Sequence, residues 1–132
     1  MKPASLLLLC AIVATAADLR LGIIGTDTSH VTAFAKVLND PTSPDHIAGA
    51  KIVAAYKGGS PDIESSAKRV DGYAKDLAEK YKVEIVPAIG DLCGKVDAIL
   101  LESVDGRKHL EQAKAALKCG KPMFIDKPLA ST

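Results

Sequence analysis

Tryptophan is absent from this 132-residue chain, and all aromatic residues together make up 4% of it. Apolar residues reach 48%, so the core must be largely aliphatic, which suits one compact domain of mixed α/β type. No apolar run is long enough to span a bilayer as a permanent helix. Neither charge sign dominates, the formal net charge being +1. That balance excludes nucleic-acid binding driven by backbone electrostatics. Cysteine is scarce, with three residues and no C-x-x-C or metal-like spacing. His30, His46 and His109, taken with Asp27 and Asp105, match no standard ligand pattern, so no metal site is expected. Internal repeats, low-complexity tracts and flexible linkers are also missing.

The first 17 residues read as a secretory signal peptide. Met1-Lys2 gives a positive start, Leu6 to Ala14 an apolar run, and Ala14-Thr15-Ala16 an A-x-A cleavage site. Leu9 before Cys10 is too large for a lipoprotein box. No Arg-Arg pair precedes the apolar run, so the general export route fits. Cleavage near Ala16-Ala17 leaves about 115 residues, one domain in size. An exported chain without a stable membrane anchor is expected. Cys10 leaves with the leader, and Cys93 and Cys119 remain. Two unpaired buried thiols are expected, with pairing as the alternative.

What remains alternates strand and helix. Leu19 to Ile24 is apolar and β-branched, as in a strand buried on both faces. Val31, Phe34, Ala35 and Leu38 form one stripe of a helix from about Ser29 to Asn39. Pro41 and Pro44 place a loop at 40–46. Lys51 to Tyr56 is a second strand. Gly58-Gly59 turns the chain, with Ser60 as predicted N-cap and Pro61 opening a helix. Its stripe is Ile63, Ala67, Val70, Ala74, Leu77 and Tyr81. Glu84 to Val86 is a third strand, Ile89 to Cys93 a single turn, and Val96 to Leu101 a fourth strand. Arg107 to Cys119 is a helix with Leu110, Ala113 and Leu117 on its apolar face, stopped by Gly120 and Pro122. Met123 to Ile125 is a fifth strand. The order predicts a doubly wound α/β domain with a parallel sheet.

Such sheets bind ligands beyond the carboxyl ends of their strands. Four polar clusters fall there: Thr26 to His30, Lys57 to Ser60, Ser103 to His109, and Asp126-Lys127. The run from Gly22 to His30 is a strand, a glycine turn and a helix start. Counting from Gly25, the second and third glycines of G-x-G-x-x-G are replaced by Asp27 and His30. The turn reads either as an altered pyrophosphate site at a helix N-terminus or as a plain turn. In the second case Asp27, Thr28 and Ser29 cap the helix. Asp27 would repel a phosphate. No acid ends the second strand to hold ribose hydroxyls. Lys57 and Ser60 there suit a 2′-phosphate, which favours NADP, or form a glycine turn with a solvated lysine. His109 and Ser103 follow the fourth strand, where His109 suits a nicotinamide or substrate contact. Lys127 supplies a compact charge and several donors at the end of the fifth strand.

Three stretches carry a family likeness: Val96-Asp-Ala-Ile-Leu-Leu-Glu-Ser103, His109-Leu-Glu-Gln-Ala-Lys-Ala-Ala-Leu117, and Gly120-Lys-Pro-Met-Phe-Ile-Asp-Lys-Pro-Leu-Ala130. Together they resemble the nucleotide-binding domain of the glucose–fructose oxidoreductase and inositol dehydrogenase (Gfo/Idh/MocA) family. The likeness runs from Leu19 to the C-terminus. It implies a Rossmann-like domain for NAD or NADP, followed by a larger α/β domain carrying the substrate pocket. It places Lys127 beside the nicotinamide and substrate, with hydride passing to or from a carbon bearing a sugar or cyclitol hydroxyl. It also implies homo-oligomers formed through the further domain. Besides Asp27 and His30, the chain departs from the family pattern at Asp126, where glutamate is usual. It stops where the second domain is expected, so a fragment without turnover of its own is anticipated. An exported non-catalytic module for a polar ligand such as a sugar is the alternative, because Asp27 and His30 suit hydroxyls better than phosphates.

Overall fold

The computed structural model describes residues 17–131; the predicted leader, apart from Ala17, lies outside the described residues. Five strands form one parallel sheet in the order β3-β2-β1-β4-β5. They are β1 (Leu19–Ile24), β2 (Ala50–Tyr56), β3 (Glu84–Val86), β4 (Ala98–Leu101) and β5 (Met123–Ile125). The helices are α1 (His30–Asn39), α2 (Glu64–Tyr81) and α3 (Gly106–Leu117), with a 3-10 turn at Ile89–Leu92. Among the described residues no helix is long and apolar enough to cross a membrane.

Each sheet face buries its own aliphatic cluster. Leu21, Ile23, Ile52 and Ala55 meet Val31 and Ala35 of α1 and Leu77 of α2. On the other face Ile24, Ala54, Ile99 and Leu101 meet Leu92 and Ala116. Ile52 and Ala55 share a face despite their odd spacing because the register shifts: Leu21 pairs with Ile52, but Gly22 pairs with Ala54. The side-chain amide of Asn39, at the end of α1, donates to the Ile52 carbonyl at 2.7 Å and accepts its N–H at 2.9 Å. The returning strand is thereby pinned to the helix that precedes it.

Two helical faces differ from the predicted stripes. Along α2 the second half holds, with Ala74 and Leu77 buried, but in the first half Ser66 is buried and Ala67 is exposed. Helix α3 turns Gly106, His109, Gln112 and Ala116 inward, leaving Leu110 and Leu117 more than 60% exposed. In both helices polar residues are among the inward positions: Ser66 on α2, and His109 and Gln112 on α3. The start of α2 differs as well. Ser60 does not cap it, because its hydroxyl is committed to Asp105, and the helix begins at Glu64.

Cys93 and Cys119 are joined in a disulfide, their Cα atoms 4.7 Å apart, which corrects the expectation of free thiols. The 3-10 turn packs on α3, so residues 26 apart in sequence meet. At the opposite, amino rim, Arg20 grips Asp97 through Nε (3.0 Å) and Nη2 (2.7 Å), while the Arg20 backbone N–H donates at 2.9 Å. These bonds hold the Asp97 carboxyl down at about 2.

Three outcomes follow from this framework. Asp97 is stabilising when ionised, so its contribution is full above the ordinary carboxylate range and is lost as pH falls through about 2. Asp97→Asn therefore lowers the melting temperature at pH 7, and the gap from the parent closes toward pH 2. Reduction of the disulfide, which closes a loop of 26 residues, lowers unfolding free energy by about 3 kcal/mol in urea titrations. Gly25→Ala costs at least about 2 kcal/mol. Gly25 sits at φ +91°, and an added Cβ would lie 2.5 Å from the Ser103 backbone nitrogen.

Candidate functional site

The carboxyl ends of β2, β1, β4 and β5 form a continuous rim because the ladder runs past the strand ends. Gly25 N–H donates to Tyr56 and Thr26 N–H to Lys57 on one side of β1. Glu102 N–H donates to Ile24, and Asp126 N–H to Leu101, on the other. All four polar clusters foreseen at strand ends thus lie on one edge. Gly25 is the pivot, since the Ser103 backbone passes where any side chain would stand.

The turn after β1 is filled from within. Thr26 is buried and its hydroxyl bonds to the Val70 carbonyl at 2.9 Å. Asp27 is fully buried, and it does not cap α1. Its Oδ2 accepts from the Ser66 hydroxyl at 2.6 Å, and its Oδ1 accepts from the Val104 N–H at 3.3 Å. The chain of bonds continues inward. Ser60 N–H donates to Ser66 Oγ at 2.8 Å, and Ser60 Oγ donates to Asp105 Oδ2 at 2.6 Å. Asp105 caps α3 by accepting the Arg107 N–H and is gripped by the Arg107 guanidinium, whose fork holds its carboxyl far below the ordinary range. At the start of α1, Thr28 Oγ1 accepts the His30 N–H at 3.3 Å; Ser29 itself makes no side-chain cap.

Beyond the end of β2, Tyr56, Gly58, Gly59, Ile89, Gln112 and Ala115 line a groove of about 190 Å³. Gly58 (φ +62°) and Gly59 (φ +100°) bring bare backbone to its edge. Lys57 is half-exposed nearby and pairs with Asp71 at 2.7 Å. Ser60 does not join it, being buried and turned toward Asp105. Of the two groups suited to a 2′-phosphate, only Lys57 faces outward.

At the β4 and β5 ends the arrangement is open. His30, at the first turn of α1, sets Nδ1 2.7 Å from Asp126 Oδ2 and 3.8 Å from Glu102 Oε2. Lys127 Nζ lies 3.2 Å from Asp126 Oδ2 and 3.5 Å from His30 Nε2, with its side chain three-quarters exposed. Burial opposes ionisation of Asp126, but bonds from Lys127 and His30 hold its carboxyl below the usual value. Glu102 behaves oppositely. Burial, and then repulsion from Asp126, raise its carboxyl to about 7.

His109 lies one layer below. It is 1% exposed, its Nε2–H donates to the Ser103 carbonyl at 2.6 Å, and Nδ1 is 3.3 Å from the Leu129 carbonyl. It ties the β4 turn to the segment after β5, which contains a cis Lys127–Pro128 bond, and it does not face the crevice. Glu102 and Ser66 are the site residues that the sequence reading passed over. The signal for Glu102 was an acid directly closing an apolar strand. Ser66 carried no such signal.

Residues 19–132 match the family described as oxidoreductases with an NAD-binding Rossmann fold, Gfo/Idh/MocA. No curated protein matches the chain by sequence. Among solved structures, a dehydrogenase from Clostridium difficile is 25% identical, with a TM-score of 0.58 over 88% of this chain and 32% of that one. A biliverdin reductase from Synechocystis, solved with biliverdin and NADP+, is 22% identical with a TM-score of 0.62, over 86% of this chain and 31% of its own. A 3-ketoreductase from Actinomadura kijaniata, solved with TDP-benzene and NADP, is 20% identical with a TM-score of 0.58, over 86% and 31%. The chain thus spans about a third of the length of the structures it matches. Its parallel sheet, its strand-end crevice and the family match over residues 19–132 agree: this chain belongs to the Gfo/Idh/MocA oxidoreductase family, as its NAD-binding Rossmann domain.

Proposed function

We propose that this domain holds NADP in preference to NAD, as the nucleotide-binding part of an exported oxidoreductase acting on a sugar or cyclitol hydroxyl. The observation that carries the reading is the convergence of four loops on one crevice, with Lys127 exposed at its β5 end and paired with Asp126. The glycine-edged groove after β2 suits the adenosine half of a dinucleotide. Ser29 makes no side-chain cap, and apart from the His30 N–H, which Thr28 Oγ1 accepts, the first turn of α1 offers amides to an anion. The Asp27 carboxylate is turned inward, accepting from the Ser66 hydroxyl and the Val104 N–H. Lys57 is the group that would meet a 2′-phosphate. When bound, the nicotinamide accepts or supplies a hydride. Lys127 would hold the substrate oxygen beside it, its ammonium kept in place by Asp126.

We assign turnover, substrate choice and homo-oligomer assembly to this domain joined to a second α/β domain. Export rests on the leader pattern at 1–17, and the Cys93–Cys119 disulfide suits an oxidising compartment. A second reading has its own support. The chain Asp27–Ser66–Ser60–Asp105 occupies loop donors that would otherwise meet phosphate. That favours an exported non-catalytic module in which His30 and Asp126 receive the hydroxyls of a sugar.

Fluorescence titration of the mature chain with NADPH and NADH separates these readings. Saturable NADPH binding is expected, with Lys57→Ala weakening it about tenfold, near 1.4 kcal/mol, and leaving NADH unchanged. Absence of binding by either nucleotide up to millimolar concentration overturns the cofactor assignment. A thermal shift with sugars in that same protein establishes the module.

A further inference from the structure

We propose that His30, Glu102 and Asp126 form a binding site for a divalent transition-metal cation of the Zn²⁺ class at the β4–β5 end of the crevice. One ligand atom from each residue lies within 4.8 Å of the others. A dication held at about 2.0–2.2 Å by each atom needs only small side-chain rotations from there. One imidazole nitrogen and two carboxylates make a mixed nitrogen and oxygen donor set that suits Zn²⁺ and its neighbours better than Mg²⁺ or Ca²⁺. Three protein ligands leave a further position for water or a ligand hydroxyl.

The independent observation is Glu102. Its side chain is fully buried, its Oε2 points at His30 Nδ1 from 3.8 Å, and neither carboxylate oxygen has a hydrogen-bond partner among the described residues. A buried acid without a donor is costly, and a cation is what its surroundings are arranged to supply. Its position makes the cost greater. Leu101 pairs with Ile125, so Glu102 and Asp126 follow side by side on adjacent parallel strands. Like charges there repel unless something positive lies between them. Lys127 reaches Asp126 at 3.2 Å, but no ammonium bond reaches Glu102.

The scaffold is also suited to the task. The three ligands come from the first turn of α1 and the ends of β4 and β5. The two strand ends are fixed by Glu102 N–H to Ile24 and Asp126 N–H to Leu101. Lys127, exposed and flexible, can swing away from Asp126 as the cation enters. The proposal does not rest on nucleotide binding.

The test is calorimetric titration of the chelator-stripped full chain, purified without a histidine tag, with ZnCl₂, MnCl₂ and MgCl₂. One Zn²⁺ per chain at micromolar affinity is expected, with Mg²⁺ at least a hundredfold weaker. Glu102→Gln and His30→Asn should each weaken Zn²⁺ binding thirtyfold or more while melting cooperatively, and His46→Asn should bind as the parent does. Co²⁺ substituted at the site should give visible absorption bands that disappear in His30→Asn. Absence of saturable Zn²⁺ binding, or unchanged affinity in Glu102→Gln, overturns the site; should Glu102→Gln fail to fold, unchanged affinity in His30→Asn does so. Because the titration contains no nucleotide, either result leaves the cofactor reading to its own experiment.

Discussion

Everything at the carboxyl rim depends on the contact between Gly25 and Ser103. At that point the turn leaving β1 and the turn leaving β4 pass with no room for a side chain between them. A parallel sheet places its loops on one edge, but it does not by itself bring them together. Gly25 does so by adopting a positive φ and by having no Cβ. Ser103 is fixed from below by His109, which in turn reaches the carbonyl of Leu129. A single close backbone approach thus sets the spacing of three loops, and the open cluster of His30, Glu102, Asp126 and Lys127 is arranged around it.

Replacing the second loop glycine with Asp27 changes what holds the rim together. Glycine at that position leaves space for a phosphate to approach the backbone. Here a carboxylate occupies the position and accepts bonds from a hydroxyl and an amide. From it a run of buried hydrogen bonds leads through Ser66 and Ser60 to Asp105 and Arg107. The run joins α2, the β2 turn and the start of α3 into one polar unit. Buried networks of this type are rigid when every member is satisfied. The loop therefore keeps its shape from within and does not need a bound anion to order it.

Fold class and element order were readable because aliphatic periodicity is strong where each element faces the core. Leu21 to Ile24, and the Val31 and Ala35 stripe, show this directly. The same logic failed where helices approach the rim. Ser66 on α2, and His109 and Gln112 on α3, are inward residues that a hydropathy pattern assigns to the surface, while Ala67, Leu110 and Leu117 are the reverse. Ser66 and His109 are polar there because they bond to loops rather than pack against strands, while Gln112 lines the groove beyond β2. Candidate site residues divide along the same boundary. His30, Asp126 and Lys127 meet at the crevice, while Thr26, Asp27, Ser60 and His109 serve as internal ties. No local pattern distinguishes a serine that faces a ligand from one that faces Asp105. The pairing of Cys93 with Cys119 was equally unreadable, since it depends on a 3-10 turn packing against a helix end.

That pairing also affects the groove beyond β2. Ile89 on one wall belongs to the 3-10 turn, and Gln112 and Ala115 on the other belong to α3. The disulfide between Cys93 and Cys119 braces these two walls covalently a few residues away. The slot therefore has a set width before anything enters it, so a planar guest meets a preformed aperture with little reorganisation. Under reducing conditions the brace becomes an ordinary packing contact, and the aperture gains compliance. Ambient redox poise thus becomes a mechanical variable of the groove, although neither sulfur lines it.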